Sequence, residues 1–325
     1  MYICDMEKID LVYLWVDGND PEWQMKKQRG LIERGENPDP QALSKGRFVD
    51  NEELKYSLRS VELYAPWVNR IFIVTDDQIP AWLNTEHPKI QMVSHRDILP
   101  AEYLPTFNSH ALEISLTNIE GLSERFLLAN DDTFFAQSTT PDFFYTPQGL
   151  PIARFARRVP KHQSLYLTVL SKARELIYEK YGKRYERIPH HNIDSYLKSD
   201  VEACNEEFME LVEFTRRQQF RTTDDLQRVV WHYWALARGR AKSRIVRHYT
   251  AAKSIGQRVK CIIKRKYCTD SRSFSLHGVG VEKKIAKYSP VLMCLNDSEY
   301  ASEKCRSSMK NYLERRFPVK SSFEK

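Results

Sequence analysis

Arg125–Phe135, RFLLANDDTFF, is the stretch on which the fold turns. Phe126-Leu127-Leu128-Ala129 is a short apolar run of the kind that fills a strand buried on both faces. It stops at Asn130-Asp131-Asp132, and after Thr133 comes an aromatic pair, Phe134-Phe135. Open α/β sheets take their ligands just beyond the carboxyl ends of the strands. Two adjacent carboxylates there make a hard-oxygen site suited to Mg²⁺ or Mn²⁺ on a pyrophosphate. Asn and Asp are also common turn formers, so a plain solvated junction fits the same residues.

The flanking segments alternate strand and helix. Ile9–Trp15 is a run of strand formers closed by the turn Asp17-Gly18-Asn19-Asp20-Pro21. Trp15 can stack on a nucleobase and Asp17 or Asp20 can accept from a ribose; equally, Trp15 can be core and the acids turn caps. Arg47-Phe48-Val49-Asp50-Asn51 leads into a helix with Leu54, Leu58 and Val61 on one face. Asp50 and Glu53 have the spacing of a capping box at its start. A strand at Ile71–Thr75 ends in Asp76-Asp77, a weaker one spans Ile90–Val93, and a helix is expected over Ala111–Ile119. This alternation predicts an α/β fold with a mostly parallel sheet and flanking helices. No GxGxxG or GxxxxGK[ST] string occurs.

The chain has 325 residues, 42% hydrophobic and 12% aromatic, enough for one large domain or two ordinary ones. No apolar run approaches the length of a membrane span. The acidic start, with Asp5, Glu7 and Asp10, does not read as a secretion signal. Six cysteines without a CxxC pair suit reduced thiols, so a cytoplasmic location is expected. Charge is unevenly placed. Arg238–Lys287 holds fifteen Lys/Arg against Asp270 and Glu282, a local +13 in a chain of +7, which leaves −6 elsewhere. Such a tract suits a polyanionic partner or the anionic cytoplasmic face of a membrane, although any single Lys reads as a solvated surface group.

Ile9–Pro21, IDLVYLWVDGNDP, and the strings RFVDNEELKYSLRSVELYAPWVNRIFIVTDDQIPAWL, LPTFNSHALE and the NDD strand within Arg47–Phe135 carry a family resemblance. They resemble the first two conserved blocks of the Stealth sugar-1-phosphate transferases. Ile188–Ala241, with PHHNIDSY, RRQQFRTTDDL and HYWALARGRA, resembles the third block, and MCLNDS within Leu292–Ser298 the fourth. The third block of the family has His-x-Pro where this chain has Pro189-His190-His191-Asn192-Ile193.

The resemblance implies a fold similar to GT-A glycosyltransferases. It also implies transfer of a hexose-1-phosphate or N-acetylhexosamine-1-phosphate from a UDP-sugar to a hydroxyl of a polysaccharide or phosphodiester glycan, with release of UMP. On that basis Asp131 and Asp132 are expected to hold the metal, with Asn296 and Asp297 as a second contribution. His191, or else His190, is the expected base, because an imidazole titrates near neutrality. Arg221 is the expected phosphate clamp, with Arg216 and Arg217 behind it. Trp15, Val16, Asp17, Gly18 and Asp20 are expected to line the uridine and ribose pocket, with Arg47, Asp50 and Asn51 nearby. Asn108, Ser109 and Glu113 are expected at or behind the sugar, Asn108-Ser109 also fitting a helix cap.

Three segments are anticipated: a nucleotide-sugar core over 1–140, a more helical lobe over 141–287 carrying the His, Arg and basic tract, and a returning segment over 288–325. Helices are expected within that lobe at Glu206–Phe214 and Asp224–Leu236. A glycosyltransferase releasing UDP would use much the same residues, and a non-catalytic glycan-binding protein is a third alternative. No nucleic-acid partner is expected.

Overall fold

The computed structural model describes residues 8–33, 38–43, 48–160, 164–276, 280–297 and 300–325. Arg47 and Cys4 therefore lie outside the described residues. The chain begins β1 (Ile9–Leu14), α1 (Pro21–Glu33), α2 (Glu53–Tyr64), β2 (Ile71–Thr75), β3 (Ile90–Ser94), α3 (His95–Ile98) and α4 (Ser109–Glu113). It continues β4 (Arg125–Asn130), β5 (Thr133–Phe135), β6 (Ile152–Arg158), α5 (Leu165–Tyr181), β7 (Arg187–Pro189) and β8 (Asp194–Leu197). Then follow α6 (Lys198–Glu207), α7 (Met209–Arg217), α8 (Val229–Ala237), β9 (Lys242–Ile245) and α9 (Ile255–Lys264). The last elements are β10 (Ser271–Ser275), α10 (Val281–Tyr288), β11 (Leu292–Asn296) and α11 (Glu303–Arg316).

The main sheet has the order β3-β2-β1-β4-β8. β3, β2, β1 and β4 are parallel, and β8 runs antiparallel to β4. Helices cover both faces, which is why β1, β2 and β4 read as largely apolar runs. Val12, Phe72, Val74, Phe126 and Leu128 point to one core, shared with Ala173 and Ile177 of α5 and Val230 and Trp234 of α8. Leu11, Tyr13, Ile71, Ile73, Leu127 and Ala129 point the other way, against Leu54, Leu58 and Val61 of α2. The period of two along each strand sorts the side chains between the two cores.

Two small sheets complete the fold, β10-β11-β5 and β7-β6-β9. The segments anticipated from sequence interleave: β8 of the middle segment closes the main sheet, and β11 of the last pairs antiparallel with β5.

Some local expectations change. The Asp50–Glu53 pair does not cap α2, whose N-cap is Glu52 in a left-handed conformation without a side-chain bond. The Glu53 carboxylate instead accepts from the backbone N–H of Asn51 and from its side-chain amide, at 2.6 and 2.7 Å. The Ala111–Ile119 helix is a short α4 and a separate 3₁₀ turn, Leu116–Asn118, which together still bury Leu112, Leu116 and Ile119. The Glu206–Phe214 helix is split between α6 and α7, whose shared boundary is Phe208. Residues 224–228 are not helical and precede α8, with the Asp225 carboxylate drawn inward rather than left at a helix start.

The amino edge of the sheet is fastened by Asp10, which is fully buried. Its carboxylate accepts from Asn69 Nδ2 (2.7 Å), Arg70 N (3.2 Å), Arg70 Nη2 (3.1 Å) and Ser123 N (2.9 Å), joining the starts of β1, β2 and β4. Asp10→Asn is expected to destabilise the protein by about 3 kcal/mol, by weakening charge-assisted bonds at a buried site. Ligand affinity of the folded fraction should not change, since the substitution lies at the opposite edge from the cavity described below. Denaturant unfolding together with a binding isotherm checks both halves.

Candidate active site

β1 and β4 end side by side, with Leu14 paired to Asn130, so Trp15-Val16 and Asp131-Asp132 leave the sheet together. Three further segments are returned to that edge. β8 pairs antiparallel to β4 with Asp194 opposite Leu128, so the turn before β8, His190-His191, stands at the same end as the acids. β11 lies along β5 with Cys294 opposite Thr133, and Leu295 N donates to Asp132 O at 2.9 Å, which brings in Asn296-Asp297. The Gln219–Asp225 loop is fixed on the start of α4. Phe107 N donates to Gln219 O at 2.8 Å, and the Phe107 and Phe220 rings stack at 5.3 Å. The buried Asp225 carboxylate accepts from Thr222 N, Thr222 Oγ1 and Asn108 Nδ2 and bonds His110 Nδ1, at 2.8 to 3.1 Å.

The result is a cavity of about 1080 Å³ lined by Asp131, Asp132, His190, His191, Arg221, Glu113, Asn296 and Asp297. A smaller pocket of about 140 Å³ adjoins it and shares Asp131, Glu113 and Arg221. Trp15, Val16, Ser109, Trp23, Phe48 and Phe107 line that pocket. A cavity of this size takes a single aromatic ring.

Asp17, Gly18, Asp20, Asp50, Asn51 and Asn108 line neither space. Asp17 Oδ1 accepts from Asn19 N, Asp20 accepts from Glu22 N and Gln78, and Gly18 N donates to Phe48 O. A Cβ on Gly18 would lie 2.0 Å from that Phe48 oxygen, so close backbone approach requires glycine. Asn51 Nδ2 donates to Glu53 and to Asp297, and buried Asn108 caps α4 by accepting from His110 N. These residues shape the walls; they are not the lining the sequence suggested. Arg216 is turned away, onto Glu213 and Ser115, and Arg217 onto Tyr103.

The floor of the cavity concentrates negative charge. Burial, then the neighbouring Asp132, pushes the Asp131 carboxyl well above its usual range. Burial raises Glu53 to about 7 and Asp50 to about 6. Asp132 Oδ1 is buried with no hydrogen-bond partner among the described residues, while Oδ2 accepts from the Cys294 thiol at 3.3 Å. Burial and the adjacent Asp132 hold that thiol protonated. Ligand atoms of Asp132, His191 and Cys294 lie within 4.8 Å of one another. Crowded carboxylates and an orphaned buried oxygen fit a divalent cation; the Asp131 and Asp132 oxygens would favour a hard ion, whereas His191 and Cys294 add a nitrogen and a sulfur to the set.

The two histidines differ. His190 is held through Nε2 by Asp194 (2.8 Å) and through Nδ1 by Ser271, so both ring nitrogens are engaged. His191 opens on the cavity beside Asp132, and burial keeps its pKa below the usual value, with Asp132 opposing. Burial thus favours the neutral imidazole, which can accept a proton.

The same lining carries positive charge. Arg157, Arg187, Arg228, Arg247 and Arg272 line the cavity along with Arg221, which donates to Ser109 Oγ. Buried Arg228 faces Glu113 at 3.8 Å, and its Nη1 and the Glu113 Oε2 have no hydrogen-bond partner among the described residues. Arg228 was not anticipated; its signal is a lone Arg heading the apolar run Val229–Trp234. Glu53 was misread as a cap, and Tyr166, also in the lining, carries no sequence signal.

Carboxylates and arginines in one lining, at the carboxyl edge of a mostly parallel sheet, suit an anion carried with a divalent cation. Stealth protein conserved region 1 matches residues 7–29 and conserved region 2 matches residues 47–153. The chain belongs to the Stealth family. The exopolysaccharide phosphotransferase SCO2594 of Streptomyces coelicolor is 32% identical over 98% of this chain and 51% of its own length. The exopolysaccharide phosphotransferase CpsY of Mycobacterium tuberculosis is 32% identical over 98% of this chain and 58% of its own. The chain thus spans about half the length of the curated relatives it matches. Among solved structures, the galactosyltransferase LgtC superposes over 96% of each chain at 10% identity and a TM-score of 0.43.

A carboxyl whose folded pKa is raised binds more protons folded than unfolded, so its contribution to stability is lost as pH rises through the window. For Glu53 that window runs from 4.5 to about 7. Metal-free protein should therefore lose thermal stability across it, and Mg²⁺ or Mn²⁺ should restore more above pH 7 than below pH 5. Melts with chelator and with metal check this; equal metal effects at both ends would exclude a cation on these carboxylates.

Proposed function

We propose that the protein transfers a hexose-1-phosphate or N-acetylhexosamine-1-phosphate from a UDP-sugar to a hydroxyl of a growing cell-surface polysaccharide, releasing UMP. The observation that carries this reading is the meeting of Asp131-Asp132, His191 and Arg221 in one cavity. The names carried by the relatives, exopolysaccharide phosphotransferase, support the reaction class.

In this reading the small aromatic pocket beside Trp15 takes the base and the large cavity takes diphosphate, sugar and acceptor. Asp131 and Asp132 would hold a divalent ion, Mg²⁺ or Mn²⁺, which neutralises pyrophosphate charge when bound. Arg221, steadied by Ser109, and Arg228, whose Nη1 has no hydrogen-bond partner among the described residues, would meet the phosphates. His191 accepts the proton as the acceptor oxygen attacks the β-phosphorus and the bond to UMP breaks. His190 positions that turn through Asp194 and Ser271. Asn296 lines the acceptor side, and Asp297, tied to Arg306 at 2.7 Å, stiffens it. The basic Arg238–Lys287 tract draws in an anionic glycan. Peripheral contact of that tract with the cytoplasmic face of a membrane belongs to the same reading.

The nucleotide product separates this reading from glycosyl transfer, since breaking the anomeric C–O bond would release UDP. Chromatography of a turnover mixture should show UMP. His191→Ala should lower the rate by about a hundred- to ten-thousandfold, the usual worth of a general base. Asp132→Ala should abolish metal-dependent turnover. UDP as the product, or full activity in both variants, would overturn the assignment.

A further inference from the structure

The segment between two cavity-lining arginines, Arg247 and Arg272, carries α9. This helix is amphipathic, but its apolar side faces away from the protein. Ile255 (79% exposed), Val259 (47%), Ile262 (61%) and Ile263 (74%) lie on the outside. At 3.6 residues per turn these four share an arc of about 100°, the width of an ordinary buried stripe. The inward side is formed by Gln257 and the buried Cys261, which rest against Cys268 at 3.5 and 3.1 Å. Cations flank the apolar arc: Arg258 on one edge, Lys260 on the other, and Lys264, Arg265 and Lys266 at the end. Residues 248–269 contain no Asp or Glu.

An outward apolar stripe between rows of cations, with no acid in the segment, matches an anionic bilayer surface. The side chains enter the acyl boundary while Lys and Arg meet the headgroups. We propose that α9 docks this protein on an anionic membrane, with Ile262 and Ile263 as the inserting residues. The docking deepens the membrane contact in the functional reading above and rests on that reading only for its purpose. With α9 on the bilayer, Arg247 and Arg272 at the ends of its segment would set the cationic rim of the cavity toward the membrane and toward an acceptor assembled there.

The test uses the full chain with vesicles of phosphatidylcholine plus phosphatidylglycerol, and of phosphatidylcholine alone. The protein should cosediment with the first and not the second, with binding falling as salt is raised. Ile262→Glu/Ile263→Glu should reduce the bound fraction about tenfold or more, while its melting temperature and its turnover of a water-soluble acceptor stay unchanged. Absence of binding to the anionic vesicles, or wild-type binding by the double variant, overturns the proposal. So does sedimentation showing that the double substitution dissociates a dimer while vesicle binding persists, since the stripe would then be covered by a second copy. Vesicle binding is read without donor, so failure of the transferase reading would leave the docking result standing.

Discussion

The structure depends on crowding carboxylates where β4 stops. Asp131, Asp132 and Glu53 are brought together with no Lys or Arg side chain bonded to them among the described residues, and Asp50 adds to the same field. Like charges at this range disfavour joint ionisation, so the site holds either protons or a cation. Neither alternative serves folding. An apolar or hydrogen-bonded replacement would be the more stable solution, which is how functional sites differ from cores. What keeps the carboxylates in place is the scaffold around them: the parallel pairing of β1 with β4, the amide of Asn51 on Glu53, and the Cys294 thiol on Asp132.

Topology does the rest. In a purely parallel sheet every strand would leave at the carboxyl edge and no later segment would arrive there except by a loop. Here β8 runs antiparallel to β4 and β11 antiparallel to β5, so the turn entering β8 and the end of β11 are both delivered to the acidic turn by hydrogen-bonded ladders. Asn296 is thereby placed at the end of a strand, and His191 in a short turn held between β7 and β8, which restricts both side chains more than a long loop would.

This explains what could be read from the sequence and what could not. β1, β2 and β4 were legible because burial on both faces makes them apolar runs, and Asp131-Asp132 stood out as an interruption of one; β3, with exposed Gln91, gave a weaker signal, and β8, with the sequence Asp194-Ser195-Tyr196-Leu197, gave none. The gathering of residues 131, 191, 221 and 296 rested on family resemblance, since strand pairing across such separations leaves no local pattern. Glu53 was misread because a carboxylate three residues from Asp50 fits a capping box as well as a buried cluster. Asp17, Asp20 and Asn108 look like binding groups for the same reason that they make good turn and cap residues: short polar side chains bond their own backbone. The outward stripe of α9 was hidden because periodicity gives the width of an apolar face and never its direction.

The cavity carries charge of both signs in one lining. Glu53, Glu113, Asp131 and Asp132 share it with Arg157, Arg187, Arg221, Arg228, Arg247 and Arg272, the last two belonging to the tract of +13. Asp131 and Asp132 are half-buried, Arg228 is buried beside Glu113, and Arg221 shares the small pocket with Asp131, so an anion in the cavity meets carboxylates and guanidiniums together. A divalent ion carried by such an anion would turn the carboxylates from a repulsion into a partner, while the guanidiniums meet the anion's own charge. Neither set of side chains alone would create that preference: arginines without the acids would take any anion, and the acids without the arginines would hold a cation and nothing beyond it.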